Sequence, residues 1–115
     1  MKALEIRPFV PSKDYQASIS FYQAKGFNID KISDDLALCT MGSCGFYLQK
    51  YFNQEFAENL MLQLSVFDIS EFADMLRRDE NKTTRYQPIK EEPWGKVIYL
   101  WGPVGELWHI TEFNP

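Results

Sequence analysis

Apolar positions in this chain either alternate or gather in short runs, and helical spacing occurs in only two places. Residues 3–10, ALEIRPFV, are rich in branched and aromatic types and predict a strand stopped by Pro11. Behind it Tyr15, Ile19 and Tyr22 recur at the spacing of one helix face, with Phe21 beside them. Ser12 or Asp14 can cap that helix and Gly26 can supply its left-handed stop, so it is predicted over 15–25. Strands are predicted at 27–32, 36–41 and 45–52, separated by Ser33-Asp34-Asp35 and by Gly42-Ser43, whose side chains suit turns.

After a polar segment at 53–59, read as a linker, the same order begins again. LMLQLSV at 60–66 is a strand. Ser70 is the expected cap of a second helix with Glu71 in its first turn, Ile69, Ala73 and Leu76 on one face, and the polar run Asp79-Glu80-Asn81-Lys82 at its end. Strands follow at 84–89, 96–101 and 107–112, divided by Glu91-Glu92-Pro93-Trp94-Gly95 and by Gly102-Pro103-Val104-Gly105. Strand, helix and three strands therefore occur twice, although the residues themselves hardly repeat. The fold class is α+β: one domain, 1–115, made of a module at about 1–52, the linker and a module at about 60–115.

Composition narrows the function. A chain of 115 residues has room for one core, and 45% hydrophobic with 24% charged residues excludes a disordered chain or a coiled coil. No apolar run approaches the roughly 20 residues that span a bilayer. The start, MKALEIRPFVPSKD, has charges and prolines where a secretory signal is apolar, so a cytoplasmic location and no membrane partner are expected. Twelve basic against sixteen acidic residues give a net charge of -4, with no basic stripe beyond Arg77-Arg78, which argues against a nucleic-acid partner. The aromatic share, 16%, exceeds what so small a core needs, and some rings are expected to line a pocket or an interface. Cys39 and Cys44 are expected to be unpaired small residues on neighbouring strands, because with a single histidine they lack the partners of a zinc site. Walker loops, Gly-x-Gly-x-x-Gly, nucleophile elbows and usefully spaced Cys-His pairs are missing from the sequence.

The repeated βαβββ order resembles the vicinal oxygen chelate superfamily of glyoxalase I, extradiol dioxygenases and bleomycin resistance proteins. The opening is similar to that family's start: Phe9-Val10-Pro11 to Asp14, then Ala17-Ser18-Ile19-Ser20-Phe21-Tyr22 and Gly26-Phe27. The ending, Gly102-Pro103-Val104-Gly105-Glu106-Leu107-Trp108-His109-Ile110, resembles its last hairpin. Gly42-Ser43 into Phe46-Tyr47-Leu48-Gln49-Lys50-Tyr51, with the loop Pro93-Trp94-Gly95, looks most like the bleomycin resistance branch. The resemblance implies a glyoxalase/bleomycin resistance-like fold, in which two modules curl a mixed sheet into a cup for a divalent metal or an organic ligand.

Carried over residue by residue, the family's metal positions fall on Arg7, Gln49, Met61 or Gln63, and His109. Arg7 is a permanent cation that would repel a metal ion, so no metal, no cofactor and no catalytic residue are expected. The candidate ligand-binding residues are Arg7, Tyr47, Gln49, Tyr51, Gln63, Trp94, Tyr99 and His109. His109 is expected to line the cup rather than to act as a base, while Trp94, beside Glu91-Glu92, suits an aromatic cation or a dimer seam equally. Trp108 is expected beneath a helix and Glu112 at the surface or on a cap. With Phe52, Phe56, Leu60 and Met61 around the linker, the resemblance also implies a homodimer with pockets at its interface. The expected function is metal-free sequestration of a small aromatic or cationic compound. The alternatives are a metal-dependent lyase, isomerase or dioxygenase, and a partner-binding module whose pocket is filled by its own side chains.

Overall fold

Side-chain alternation sorts each half of the chain into a sheet with one face under a helix and a second face, free of helix, whose side chains are mostly half-buried. The computed structural model describes residues 1–81 and 83–115, and it divides into two compact units, Met1–Asn53 and Gln54–Pro115. In the first unit, β1 (Phe9–Pro11), β2 (Asn28–Lys31), β3 (Leu36–Met41) and β4 (Cys44–Gln49) form a sheet in the order β1-β4-β3-β2. β1 runs parallel to β4 and the other pairs are antiparallel. Helix α1 (Tyr15–Ala24) begins at Asp14, whose carboxylate accepts from the Ala17 N–H at 3.0 Å, and stops at Gly26, which has the left-handed φ of 99° that favours glycine. Val10, Ala37, Cys39, Phe46 and Leu48 are buried on the side of α1. There the Tyr22 ring meets Phe46 at 5.0 Å and Phe27 at 5.8 Å, both edge to face, the arrangement that ring quadrupoles favour.

The predicted first strand is shortened at its start. Residues 1–8 lie outside any strand, with Leu4 and Ile6 almost fully exposed, and Arg7 therefore precedes β1 instead of sitting in it. Pairing starts at Pro8, which has no N–H for a ladder but accepts from the Tyr47 N–H at 2.9 Å through its carbonyl.

The second unit opens with a short helix, α2 (Gln54–Asn59), over the segment that composition marked as a linker. Its polar side chains bond along the helix: the Gln54 amide donates to Glu58 and the Asn59 amide to the Glu55 carbonyl. β5 (Met61–Ser65) is parallel to β9 (Leu107–Phe113), β9 is antiparallel to β8 (Gly95–Trp101), and β8 also pairs with β6 (Arg85–Tyr86) and β7 (Lys90–Glu92). A single strand at 84–89 was expected. Only Arg85–Tyr86 pairs within that range, which contains Pro88 with no N–H to donate, and a further strand, β7, forms at Lys90–Glu92, where Glu91-Glu92 had been expected to divide strands.

Helix α3 (Ile69–Arg78) buries Ile69, Phe72, Ala73 and Leu76. Leu64, Ile98, Leu100, Trp108 and Ile110 are buried on one face of the sheet, so Trp108 is packed as expected. The cap of α3 is Asp68 rather than Ser70, because an extended Asp68 puts its carboxylate 3.0 Å from the Ser70 N–H, and Ser70 itself falls within the helix. Glu112 completes this end by accepting from the Ile69 N–H at 3.0 Å. Lys82, read as part of the polar run that ends this helix, lies outside the described residues.

The last hairpin is built around a buried acid that sequence reading passed over. Glu106 is fully buried and accepts from the Val104 N–H at 3.0 Å. A Cβ on Gly102 would stand 2.2 Å from the Glu106 carboxyl carbon, so the glycine makes room for the acid.

Candidate ligand-binding faces

Opposite α1, the first unit presents Phe9, Tyr47 and Gln49 with Leu36 and Leu38, a grouping fixed by the pairs Phe9–Tyr47, Leu38–Tyr47 and Leu36–Gln49. Phe9 stacks on Tyr47 with ring centroids 5.0 Å apart. Arg7 donates to the Tyr47 hydroxyl at 3.0 Å, with its guanidinium carbon 5.5 Å from the ring centroid, and pairs with Glu5 at 2.5 Å. The Tyr47 hydrogen bond, followed by Glu5, raises the Arg7 pKa further, so the charge is held firmly but is already engaged by its own chain. Tyr51 is not on this face. β4 ends at Gln49, and Tyr51 is exposed beyond it with its carbonyl accepting from the Ser12 N–H at 3.0 Å.

Opposite the buried core of the second unit, the register lays side chains out in rows across the sheet. Gln63, His109 and Tyr99 form one row over β5, β9 and β8. Tyr99 and His109 meet edge to face with centroids 5.0 Å apart. The His109 Nε2 is buried without a hydrogen-bond partner, a state that costs free energy until a group supplies the bond. The next row carries Met61, Leu107, Trp101 and Arg85. Here the Arg85 guanidinium carbon lies 4.0 Å from the Trp101 ring centroid. Arg85 was not a candidate, and Trp101, one of three tryptophans that invite a stacking role, was not among the expected ligand-binding residues, although it stands two residues from Tyr99 and strand alternation puts it on the same face. Trp94 stands apart in the turn that enters β8, with 47% of its surface exposed.

Among the described residues, no three His, Cys, Asp or Glu side chains come together in a way that could hold a metal ion. The positions that the resemblance assigns to metal ligands carry an arginine, two glutamines and one histidine, and these do not make a divalent-cation donor set. Burial pushes the Cys39 thiol up to about 12, which suits a packed group better than a reactive one, whereas Cys44 is exposed. Both cysteines are free. A surface cavity of about 540 Å³ near the start of α1 gathers Lys13, Lys31 and Lys50 beside Asp14, Tyr15 and Asp34. None of these residues was a sequence candidate.

The chain was compared with known proteins. The sequence matches no protein-family model and no curated protein sequence. Solved structures do match. A bleomycin resistance determinant encoded on the transposon Tn5 superposes with a TM-score of 0.82 at 18% identity, covering 98% of this chain and 100% of the other. The chain has the glyoxalase/bleomycin resistance fold. A bleomycin-binding protein from bleomycin-producing Streptomyces verticillus, complexed with copper(II)-bleomycin, gives a TM-score of 0.83 at 24% identity over 99% of both chains. The fosfomycin resistance protein FosX from Listeria monocytogenes, complexed with Mn(II) and sulfate, gives 0.76 at 10% identity over 99% of this chain and 93% of its own. The same fold is found in antibiotic-binding proteins and in this Mn(II)-bound resistance protein. No helix among the described residues is long and apolar enough to cross a membrane.

Proposed function

We propose that this chain is a metal-free binding protein of the bleomycin resistance-like type, which sequesters a small, flat compound on the open faces of its sheets. The observation that carries this reading is the row Gln63–His109–Tyr99. It combines ring surface with a buried, unpartnered imidazole nitrogen, and no group of metal ligands accompanies it among the described residues. Phe9, Tyr47 and Gln49 offer a second surface of the same kind. The structural likeness to proteins that bind bleomycin and other antibiotics supports sequestration as the role.

A homodimer fits the same reading. The arm 1–8 exposes Leu4 and Ile6 beside the edge strand β1, and unpaired edges with apolar neighbours favour a second copy. Sedimentation should give a species of about 27 kDa, twice the 13.5 kDa chain, at tens of micromolar, and a monomer there would contradict the dimer. A cytoplasmic site of action is proposed with it.

The test of function is calorimetry on chelator-treated protein with bleomycin-type glycopeptides and other flat compounds. Binding tighter than about 0.1 mM is expected for at least one of them, and none at that level would remove the drug-binding reading. The enzymatic reading, a lyase, isomerase or dioxygenase with a metal held by His109 and an amide, is favoured by one observation, the free His109 Nε2. Elemental analysis of protein purified without chelator decides between the two. Less than about a tenth of an equivalent of transition metal, with no activity restored by nickel, zinc or manganese, would end the enzymatic reading.

A further inference from the structure

The open face of the second unit has a charge character opposite to that of the whole chain. The chain carries -4, yet the groups that the register brings to this face are mostly hydrogen-bond donors. Arg85 stands opposite Trp101, Lys90 opposite Val97, and Gln63 and Tyr99 flank His109. The only carboxylate in these rows is Glu92, opposite Gly95, and it lies 3.2 Å from the Lys90 ammonium. The acidic groups nearby in sequence turn away. Glu91 pairs with Lys96 on the other face, and Glu112 caps α3.

Arg85 is the group left without a countercharge. It is exposed, and no carboxylate among the described residues pairs with it. Its guanidinium lies over the Trp101 ring at 4.0 Å. Stacking on an indole fixes the plane of a guanidinium while its N–H groups point outward along that plane, which is the geometry that grips a carboxylate through two parallel bonds. One row away lie the Tyr99 ring and the unpartnered His109 Nε2.

We infer that the compound bound on this face is a planar aromatic acid whose anionic group is held by Arg85 while its ring lies against Tyr99, His109 and Leu107. This rests on the reading of the face as a ligand site. It replaces the cation suggested by Glu91-Glu92 with an anion, because of those two acids one turns to the other face and the charge of the other is offset by the Lys90 ammonium 3.2 Å away.

Three probes of one shape separate the possibilities: naphthoate, naphthamide and naphthylmethylammonium. Each is titrated into isotope-labelled protein and into its Arg85→Gln variant, with the ring resonances of Tyr99, Trp101 and His109 as readout. The expected result is naphthoate binding about tenfold tighter than the ammonium probe, the amide lying between, a gap that one charge-assisted contact supplies. Arg85→Gln should close that gap and leave the amide within about twofold of its affinity for the parent. Ammonium binding as tight as naphthoate on this face, or a preference that survives Arg85→Gln, overturns the inference while the site reading stands. Saturable shifts confined to the cavity of Lys13, Lys31 and Lys50, or no shift with any probe at millimolar concentration, overturn both.

Discussion

The two units share one plan and spend their polar groups differently. Each has a parallel pair at one edge, β1 with β4 and β5 with β9, a helix over one face and an open second face. In the first unit the rings concentrate under the helix, where Tyr22, Phe27 and Phe46 pack edge to face, and Arg7, near the open face, gives two of its guanidinium nitrogens to Tyr47 and Glu5. In the second unit the helix side is mainly aliphatic, from Leu64, Leu76, Ile98, Leu100 and Ile110, while Tyr99, Trp101, His109 and Arg85 stand on the open face. A polar group that its own chain has satisfied stabilises or orders the fold. One left unsatisfied is available to a ligand. Among the described residues each unit keeps one such unsatisfied nitrogen, Arg7 Nε and His109 Nε2, but two other nitrogens of Arg7 are already engaged, which makes the second unit the better-equipped ligand face.

The largest effects should come from the cores. Phe46→Ala removes a ring from the first unit's cluster and should cost about 3–5 kcal/mol, whereas Ile98→Ala in the aliphatic core should cost about 2–4 kcal/mol. Denaturant unfolding measures both, and a larger loss at Ile98 would break the contrast between the cores. Next comes the hairpin acid. Glu106→Ala should destabilise by about 2 kcal/mol, since it strands the Val104 N–H that the carboxylate accepts. Gly102→Ala should be damaging in the parent and much milder beside Glu106→Ala, because the clash is with that carboxyl group. Additive losses would contradict this packing.

How far the sequence revealed these arrangements follows from the range of the forces involved. α1 was legible because its cap, its apolar spacing and its glycine stop all lie within a dozen residues. Alternation likewise put Gln63, Tyr99 and His109 on strands with the correct parity. What alternation does not contain is which strands lie side by side, so the row Gln63–His109–Tyr99 emerged only from the register, and the Arg85–Trp101 stack went unnoticed. Arg7 and Tyr51 were misplaced for a related reason: strand propensity ran past the points where Pro8 and Gln49 mark the limits of pairing. The linker was read from polarity, yet polar side chains four residues apart close α2 upon itself.

The contrast between the open faces predicts smaller effects. His109→Ala should leave the melting temperature within about 3 °C of the parent and weaken binding of a flat ligand about tenfold, since its Nε2 has no bond within the protein to lose. Arg7→Ala should weaken binding less than His109→Ala, because Glu5 and Tyr47 already occupy the guanidinium. The reverse order would move the principal site to the first unit. The mildest perturbation is chemical. Cys44 should react quickly with a thiol reagent in native protein, whereas Cys39, fully buried and held as a neutral thiol by a pKa pushed up to about 12, should react only on unfolding. Two thiols recovered without reductant would confirm that neither is oxidised.

The central claim is that ligands bind to the open sheet faces and not to the helix-covered ones. It is tested most directly by titrating chelator-treated protein with uncharged naphthamide, following side-chain resonances that lie on opposite faces of the same two strands. The ring protons of Tyr99 and His109 should shift in a saturable way, while the methyl groups of Ile98 and Ile110, buried on the other face, stay in place. Shifts led by Ile98 and Ile110, or by Tyr15 in the lysine-lined cavity with the Tyr99 and His109 rings unmoved, would contradict the account.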